Sequence, residues 1–405
     1  MTTKAAIPDH VPAHLVFDFD VYTAPELTRN PHRTVSTLLR DKPPVFFSPA
    51  NGGHWIVAGA PEAVEILRDV ERFSSKPEFC SSLRKPWTLP NQADPPEHND
   101  YRRIISPPLA PKAVFDMETQ IRTLVTSMLD EIIPQGSCEF VSRVGKRFPV
   151  TIFLQMAGAP LDEMEKLVEI TDRAVRHPDL AERNRASSEM GAYVMKLFEE
   201  RRGSPGVDMV SRIIQGRFGD RALNDEELLG MGILLFLGGL DTVSATLSFI
   251  MQFLAENPGH YRELQEHPDR LGAAVEELLR VHGVASFQRG VTHDTEWNGI
   301  RFRKYDRLWF LPQIFGLDAR ETPDPLKVDF SRDISRHLGF GAGPHRCVGS
   351  HLARSEVQIF LEEWLKRVPR FEIEGGIPID TCGGNVWSPL KLPLVWPVEA
   401  KRKAA

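Results

Sequence analysis

The sequence predicts a mostly α-helical protein with a minor antiparallel β part, built around one long central helix. Apolar residues recur at helical spacing through most of the chain, and the strand-like segments are few and short. The longest periodic stretch runs from Asn224 to Ala255. The 405 residues can bury a large core. Because no Gly/Ser-rich linker, charge block or internal repeat divides the sequence, we expect a single domain over residues 1–405.

Shorter elements are predicted on both sides of this helix. Residues 45–47 and 54–57 flank the turn residues Asn51, Gly52 and Gly53, which predicts a strand pair. Apolar spacing predicts further helices at 60–68, 117–133, 161–175, 268–282 and 348–367, and a short strand at 307–311. Residues 76–96 lack periodicity and are rich in proline, so we expect a loop there.

The predicted central helix begins with a clear signal. Asn224 and Glu227 have the spacing of a capping box, and Asp225 and Glu226 suit the positive end of a helix. The apolar spacing stops before Pro258, which predicts a continuous rod of roughly 45 Å.

A membrane span is the alternative for so apolar a helix. Between residues 228 and 255, however, Asp241 is charged and Thr242, Ser244 and Ser248 are polar, and these side chains would be costly in lipid. We therefore expect a buried central helix in a soluble protein.

Composition excludes several classes of function. The net charge of −6 argues against a nucleic-acid binder, which normally carries a basic face. Cys80, Cys138, Cys347 and Cys382 are far apart, so neither a disulfide framework nor a zinc site is predicted. The first ten residues contain no apolar signal segment, and we expect a cytoplasmic protein.

A glycine-rich loop around Cys347 is the sharpest signal in the sequence. Glycines let backbone N–H groups approach the sulfur, and a helix is predicted to follow at once. Both features favour a thiolate, which can bind iron and assist O–O cleavage. A buried inert cysteine is the alternative for a lone Cys, and a hydrolase with Cys347 as nucleophile and His345 as base is another.

The full spacing of the loop favours Cys347 as an iron-binding thiolate. The loop reads Phe340-Gly341-Ala342-Gly343-Pro344-His345-Arg346-Cys347-Val348-Gly349 and is followed by Ala353-Arg354. This F-G-x-G-x-H-x-C-x-G pattern resembles the haem-binding loop of the cytochrome P450 family. The resemblance spans about residues 17–396 and is closest to the soluble bacterial camphor-hydroxylase type, as residues 237–243 and 328–332 illustrate. We expect flexible ends at 1–14 and 399–405.

The resemblance implies a monooxygenase with haem b as cofactor and dioxygen as a substrate. It assigns Cys347 as the axial iron ligand and Phe340, Gly341 and Gly349 to the loop against the haem. His98 and Arg102, at i,i+4 on a helix start, match residues that reach the haem propionates, as do Arg289 and His345.

Asp241 and Thr242 resemble the acid–alcohol pair of the family. Two glycines, Gly238 and Gly239, precede them in the middle of a predicted helix, where each costs about 1 kcal/mol relative to alanine. A local widening there would make room for dioxygen, with Thr242 hydrogen-bonding the oxygen and Asp241 relaying protons through water. The alternative is structural: a buried Asp241 paired with an arginine and Thr242 bonded back to the helix. The two interpretations can coexist.

A second match to the family concerns a structural pair of residues, Glu277 and Arg280. Glu277 and Arg280 at i,i+3 are usually a surface ion pair. In the family this E-x-x-R pair is buried and braced by a later arginine, a position that Arg332 occupies here.

The resemblance also places the substrate pocket, with the loop 79–92 as its ceiling. The predicted lining residues are mostly apolar: Phe79, Trp87, Thr88, Leu234, Leu237, Gly238, Val284, Ala285, Phe287 and Val386. Camphor hydroxylases carry a tyrosine in this loop that anchors the substrate ketone, but residues 83–91 here contain Trp87 and no tyrosine. Camphor is therefore disfavoured, and we expect a small hydrophobic terpenoid or a norisoprenoid of the ionone kind.

No redox module is visible in the sequence, so electrons are expected from a [2Fe-2S] ferredoxin with its ferredoxin reductase. Basic residues outnumber Asp333 around the Cys347 loop and are predicted to form a docking face: Arg332, Arg336, His337, His345, Arg346, His351 and Arg354. The alternative is that several of them bind haem or core carboxylates, and this applies at least to Arg332 and His345. A peroxide-driven peroxygenase and a non-enzymatic haem sensor are the alternative functions. We expect a monomer.

Overall fold

The computed structural model describes residues 4–80, 87–334 and 337–398. The helices are α1 Pro31–Leu39, α2 Ala60–Arg68, α3 Pro77–Cys80, α4 Glu97–Ile105, α5 Pro111–Ile132, α6 Arg147–Ala157, α7 Met164–Arg176, α8 Leu180–Arg202, α9 Met209–Ile214, α10 Asp225–Gly239, α11 Thr242–Glu256, α12 Pro258–Glu266, α13 Leu271–Val281, α14 Pro312–Phe315 and α15 Ser350–Arg367. The strands are β1 Val45–Ser48, β2 His54–Val57, β3 Phe73–Ser74, β4 Ser137–Glu139, β5 Arg217–Phe218, β6 Arg221–Ala222, β7 Phe287–Val291, β8 Thr295–Trp297, β9 Ile300–Phe302, β10 Arg307–Phe310, β11 Glu372–Ile373, β12 Thr381–Cys382, β13 Ser388–Pro389 and β14 Pro393–Val395. The predicted mostly helical class with a minor β part is confirmed.

The largest sheet has the order β1-β2-β10-β7-β3. The predicted strand pair is confirmed, since β1 and β2 are antiparallel with Phe46 opposite Ile56. β10 continues the sheet parallel to β2, and β7 pairs antiparallel with β10, which brings Arg289 opposite Leu308. The sheet thereby fixes β7, whose residues reach the cavity described below.

The central helix is not continuous, and the prediction of a single rod was wrong in this respect. α10 ends at Gly239, Asp241 has φ −132° and ψ −37°, and α11 begins at Thr242. Two polar contacts lie at the break: the Thr242 hydroxyl donates to the Gly238 carbonyl at 3.0 Å, and Arg176 of α7 holds the Asp241 carboxylate. The predicted capping box is confirmed, because Asn224 and Glu227 exchange both hydrogen bonds.

Residues 225–256 are apolar and long enough to cross a membrane, but most of this stretch is buried inside the protein. α10 packs against α8, and α15 packs against α5 and α13. This is the position of a core helix, as the polar residues within it predicted.

The N-terminal end is attached to the sheet rather than free. The Ala5 N–H donates to the Pro49 carbonyl, His10 contacts Asp306 at 2.8 Å, and Val11 is buried. The expectation of a flexible end at 1–14 therefore does not agree with the contacts of residues 5–14. Residues 1–3 and 399–405 lie outside the described part of the chain.

Candidate active site

A cavity of about 490 Å³ lies between the α10–α11 break, the Cys347 loop, β7 and the start of α8. Most of the side chains predicted for the cofactor and the substrate line it. They are Thr88, Arg102, Leu234, Leu237, Gly238, Thr242, Val284, Ala285, Phe287, Arg289, Phe340, Gly341, His345, Cys347, Gly349 and Val386.

The Cys347 loop is shaped by glycines and turns its sulfur toward this cavity. Gly341 and Gly343 have φ of 71° and 68°, a conformation that L side chains rarely adopt. A Cβ on Gly343 would lie 2.7 Å from the Leu67 carbonyl oxygen. The Cys347 N–H donates to the Phe340 carbonyl at 2.9 Å and closes the loop. The sulfur is therefore fixed at the cavity wall.

The surroundings of Cys347 act on the pKa of its thiol in opposite directions. Burial raises the pKa of the thiol, and the Gly349 N–H and the charge of Arg102 oppose this only in part. α15 begins at Ser350, beyond the cysteine. The loop on its own thus does not favour the thiolate, which a bound cation would have to stabilise.

A cluster of nitrogen groups lies at the same end of the cavity, and the nearby acid Asp94 forms no ion pair with any of them in the described part of the chain. Arg289 is 5% exposed, and neither Arg289 nor Arg102 forms an ion pair with any residue in the described part of the chain. The rings of His98 and His345 lie 4.3 Å apart, and the His98 Nε2 atom is buried with no described partner.

The electrostatics of this cluster favour the binding of an anion. Burial, together with the charges of Arg289, His98 and Arg102, lowers the pKa of His345 to about 2. Burial also lowers the pKa of Arg289. Buried cations are stable when paired, so the cluster fits a ligand with two carboxylates. The two propionates of haem b are such a ligand, and Cys347 lies on the wall of the same cavity as an iron ligand.

At the helix break the structure contains both contacts of the structural alternative, a buried Asp241 paired with an arginine and Thr242 bonded back to the helix. The Asp241 oxygens lie 2.6 and 2.7 Å from Arg176 Nη2, and Arg176 also pairs with Asp172. Burial raises the pKa of Asp241, and Arg176 opposes that shift. Thr242 lines the cavity, whereas Asp241 is 3% exposed behind it. Thr242 can therefore contact a ligand directly, and Asp241 could act only through another group.

The two glycines before the break differ in what a side chain at each position would contact. A Cβ on Gly239 would lie 2.1 Å from the Phe153 ring, so this position allows α6 to pack against α10. A Cβ on Gly238 would meet nothing within 4 Å, because this position faces the cavity. Only Gly238 keeps space open for a ligand.

Glu277, Arg280 and Arg332 meet away from the cavity. Arg280 Nε and Nη2 donate to the Glu277 oxygens at 2.6 and 2.8 Å, and both side chains are almost fully buried. Arg332 Nε lies 3.4 Å from Glu277 Oε1. Arg280 also donates to the Pro325 carbonyl at 2.9 Å. These contacts join α13 to the irregular segment that leads to the Cys347 loop.

Two predicted pocket residues do not line the cavity in this structure. Trp87 is 49% exposed, and Phe79 stacks on Tyr305 with ring centroids 6.1 Å apart. The resemblance placed the loop above the pocket, but these two rings are turned to the surface and to the sheet side. Residues 81–86 of the predicted ceiling lie outside the described part of the chain.

The predicted docking face is also smaller than expected. His337 and Arg354 pair with Glu276, Arg332 pairs with Glu277, and His345 faces the cavity. Of the predicted residues in the described part of the chain, Arg346 and His351 remain exposed. Arg336 lies outside that part. The sequence could not reveal that Glu276 neutralises two of these cations from another helix.

Several polar residues that line the cavity were missed. Arg183 and Asn184 come from α8 and Asn385 precedes β13. None belongs to a motif, although Leu180, Arg183 and Asn184 have the i, i+3, i+4 spacing of one helix face.

Known proteins are similar to this chain over most of its length. The cytochrome P450 family model matches residues 156–375. The probable cytochrome P450 127A1 of Sinorhizobium fredii is 35% identical and covers 96% of this chain and 97% of its own. The erythromycin C-12 hydroxylase of Saccharopolyspora erythraea is 31% identical and covers 83% of this chain and 87% of its own. The crystal structures of CYP101J2 and CYP101C1 each give a TM-score of 0.86, at 32% and 33% identity, over 97% of this chain and 100% of theirs.

The fold, the cysteine loop and these relatives define the class: the chain belongs to the cytochrome P450 family. It is a monooxygenase that binds haem b. Its two CYP101 neighbours agree with the predicted resemblance to the bacterial camphor-hydroxylase type.

Proposed function

We propose that the protein inserts one atom of dioxygen into a C–H bond of a small hydrophobic substrate of the terpenoid or norisoprenoid kind. Electrons would come from a [2Fe-2S] ferredoxin and its reductase, and the protein would act as a soluble cytoplasmic monomer with one domain. The observation that carries this proposal is the cavity itself, which extends from the Cys347 sulfur to the helix break at Thr242 and has a largely apolar wall.

Each part of the cavity has a proposed role. Cys347 Sγ is the iron ligand, and Arg102, Arg289 and His345 bind the propionates. When bound, haem b supplies the iron that activates dioxygen. Phe340, Gly341 and Gly349 pack around the sulfur, and His98 completes the propionate contacts through its unpartnered Nε2.

Thr242 and Asp241 are proposed to deliver protons. The Thr242 hydroxyl lines the cavity and is held by the Gly238 carbonyl, so it can be turned toward a ligand at little cost. Asp241 is held by Arg176, whose other contact is Asp172 near the surface of α7. Because the Arg176 guanidinium stays charged, a proton would reach Asp241 through water and not through this ion pair. An intact acid–alcohol pair at the break favours the oxygen-dependent enzyme over a peroxygenase or a sensor.

The substrate would be enclosed by the apolar part of the wall, for which Leu234, Leu237, Val284, Ala285 and Val386 are the proposed contacts. Gly238 leaves space beside them, and Thr88 and Phe287 complete the wall.

The proposal is tested by turnover with NADH, a ferredoxin reductase and a [2Fe-2S] ferredoxin, using ionones and monoterpenes as substrates. We expect a low-spin to high-spin shift on binding and a hydroxylated product whose amount follows NADH consumption. NADH consumption without product from any of these compounds would contradict the proposed substrate class. Product formed with hydrogen peroxide and not with the electron-transfer chain would favour the peroxygenase.

A further inference from the structure

Away from the haem end, one corner of the cavity wall carries polar side chains. Arg183 and Asn184 lie on the cavity-facing side of α8, and Asn385 lies across from them before β13. We call these three residues the polar corner. None of them belongs to the proposed haem contacts.

Arg183 is a buried cation without an acid. It is 7% exposed and forms no ion pair with any described residue. Its Nη1 donates to the His177 and Pro178 carbonyls at 2.7 and 3.0 Å, and its guanidinium lies 4.1 Å from the Tyr22 ring centroid. The Nε and Nη2 donors have no acceptor among the described residues, and neither atom is fully enclosed. Since Arg183 lines the cavity, these donors are available to a ligand there.

The two asparagines add unpaired amide atoms beside this cation. The Asn184 Nδ2 group donates to no residue in the described chain and is not fully enclosed, so it can donate to a ligand, whereas Asn184 Oδ1 is buried without a partner. Asn385 is held in place by Tyr22, whose hydroxyl donates to Oδ1 at 2.6 Å, and by its own N–H bond to the Val175 carbonyl. With Oδ1 occupied, the Asn385 Nδ2 group has no described acceptor. Unpaired polar atoms in a cavity wall are costly unless a ligand or water satisfies them.

We propose that the polar corner binds an oxygen acceptor, a carbonyl or a carboxylate, at one end of an otherwise apolar substrate. The inference rests on the proposed monooxygenase function and narrows its substrate class. A guanidinium with free Nε and Nη2 donors presents the fork that binds one oxygen or both oxygens of a carboxylate. The polar corner would therefore replace the loop tyrosine that is missing between residues 83 and 91. A pure hydrocarbon would leave the donors unpaired.

A purely structural role for Arg183 makes a different prediction. In that case Arg183 would only attach the α7–α8 connection to Tyr22, and its loss would weaken all ligands equally through a disturbed wall. The ratio of the affinities for two ligands of the same shape distinguishes the binding role of Arg183 from the structural role. A disturbed cavity wall would weaken both ligands equally and leave this ratio unchanged.

The test uses the haem-loaded protein and three probes with one skeleton: adamantane, 2-adamantanone and adamantane-1-carboxylate. Dissociation constants are measured by calorimetry and by the spin-state shift. We expect the ketone or the carboxylate to bind at least about tenfold tighter than adamantane, the effect of one hydrogen bond to a charged group. Which of the two is preferred identifies the acceptor. Equal affinities for all three probes would overturn the inference.

The variant Arg183→Met should abolish this preference while adamantane binding stays within about twofold of the wild type. Arg185→Gln is the matched control, since Arg185 is exposed on the same helix and pairs with Glu182. If Arg183→Met does not retain haem, Asn184→Leu is the decisive variant. In Asn184→Leu, the preference for the ketone or the carboxylate over adamantane should fall by at least about threefold. A preference unchanged in the decisive variant, or an equal loss for all three probes, would overturn the proposal. Adamantane binding and turnover would still test the monooxygenase function separately.

Discussion

The haem end of the cavity (Arg102, Arg289, His345 and Cys347) and the polar corner both contain arginines that form no ion pair with any described residue. They differ in how the sequence encodes them. At the haem end each residue belongs to a short segment whose spacing resembles a known family. In the polar corner, Tyr22 and Asn385 meet across 363 positions, and no local pattern marks either residue. The comparison teaches that a site whose residues share short segments can be found from spacing, whereas a site assembled from distant residues becomes visible only in the folded chain.

The largest expected effect concerns the haem end. Arg289→Met removes a buried cation that is proposed to bind a haem propionate. The free energy of haem binding should therefore weaken by about 2–3 kcal/mol. The haem-free protein should instead gain about 1 kcal/mol or more in free energy of unfolding, because an unpaired buried charge is lost. Haem titration and urea denaturation of both forms measure these opposite effects.

The exposed Arg301 on β9 provides the control for this change, and Arg301→Met should alter neither quantity. Equal haem affinity in Arg289→Met and the wild type would remove the basis for treating the haem end as an anion site.

The second prediction concerns the break between α10 and α11. Thr242→Ala should lower product formed per electron by roughly tenfold to a hundredfold while NADH consumption continues, because a positioned proton donor is lost. Ser248→Ala removes the same kind of back-bond to the helix, to the Ser244 carbonyl at 2.7 Å, away from the cavity. It should leave coupling unchanged. A Thr242→Ala enzyme with full coupling would leave only the structural role for this hydroxyl.

The third prediction compares the two glycines next to the break, Gly238 and Gly239. Gly239→Ala should lower the free energy of unfolding by about 1–3 kcal/mol, since its Cβ would overlap Phe153. Gly238→Ala should change stability little, or raise it by up to about 1 kcal/mol through helix propensity, and should weaken substrate binding. Thermal unfolding and spin-state titration separate the two effects. The reverse order of stabilities would contradict the assignment of Gly238 to the cavity.

The smallest expected effect lies outside the cavity, at Arg346 on the surface. Arg346→Glu should raise the KM for ferredoxin by a factor of about five to ten, with less effect at high salt. Peroxide-driven turnover should stay the same, since it needs no partner. Exposed Arg202, which pairs with Asp225 on another face, is the control position. Unchanged ferredoxin kinetics would argue against a docking role for Arg346.

The parts of the fold that depend on local pattern were predictable. The capping box at Asn224, the first strand pair and most helices follow from spacing and turn residues. The break at Asp241 did not follow from local spacing, and the ion pair found there joins Asp241 to Arg176, 65 positions earlier in the chain. The orientation of Phe79 and Trp87 was also mistaken, since a loop without periodicity carries no signal for which side its rings face. The basic face was overestimated because Glu276 lies on a different element from the cations that it neutralises.

The central claim, that Cys347 binds the haem iron as a thiolate, is tested most directly by the absorption spectrum of the reduced, CO-bound protein. We expect a strongly red-shifted Soret band in the wild type that disappears in Cys347→His, while Cys382→Ser keeps it. An imidazole-like band in the wild type, or a red-shifted band that survives in Cys347→His, would contradict the account.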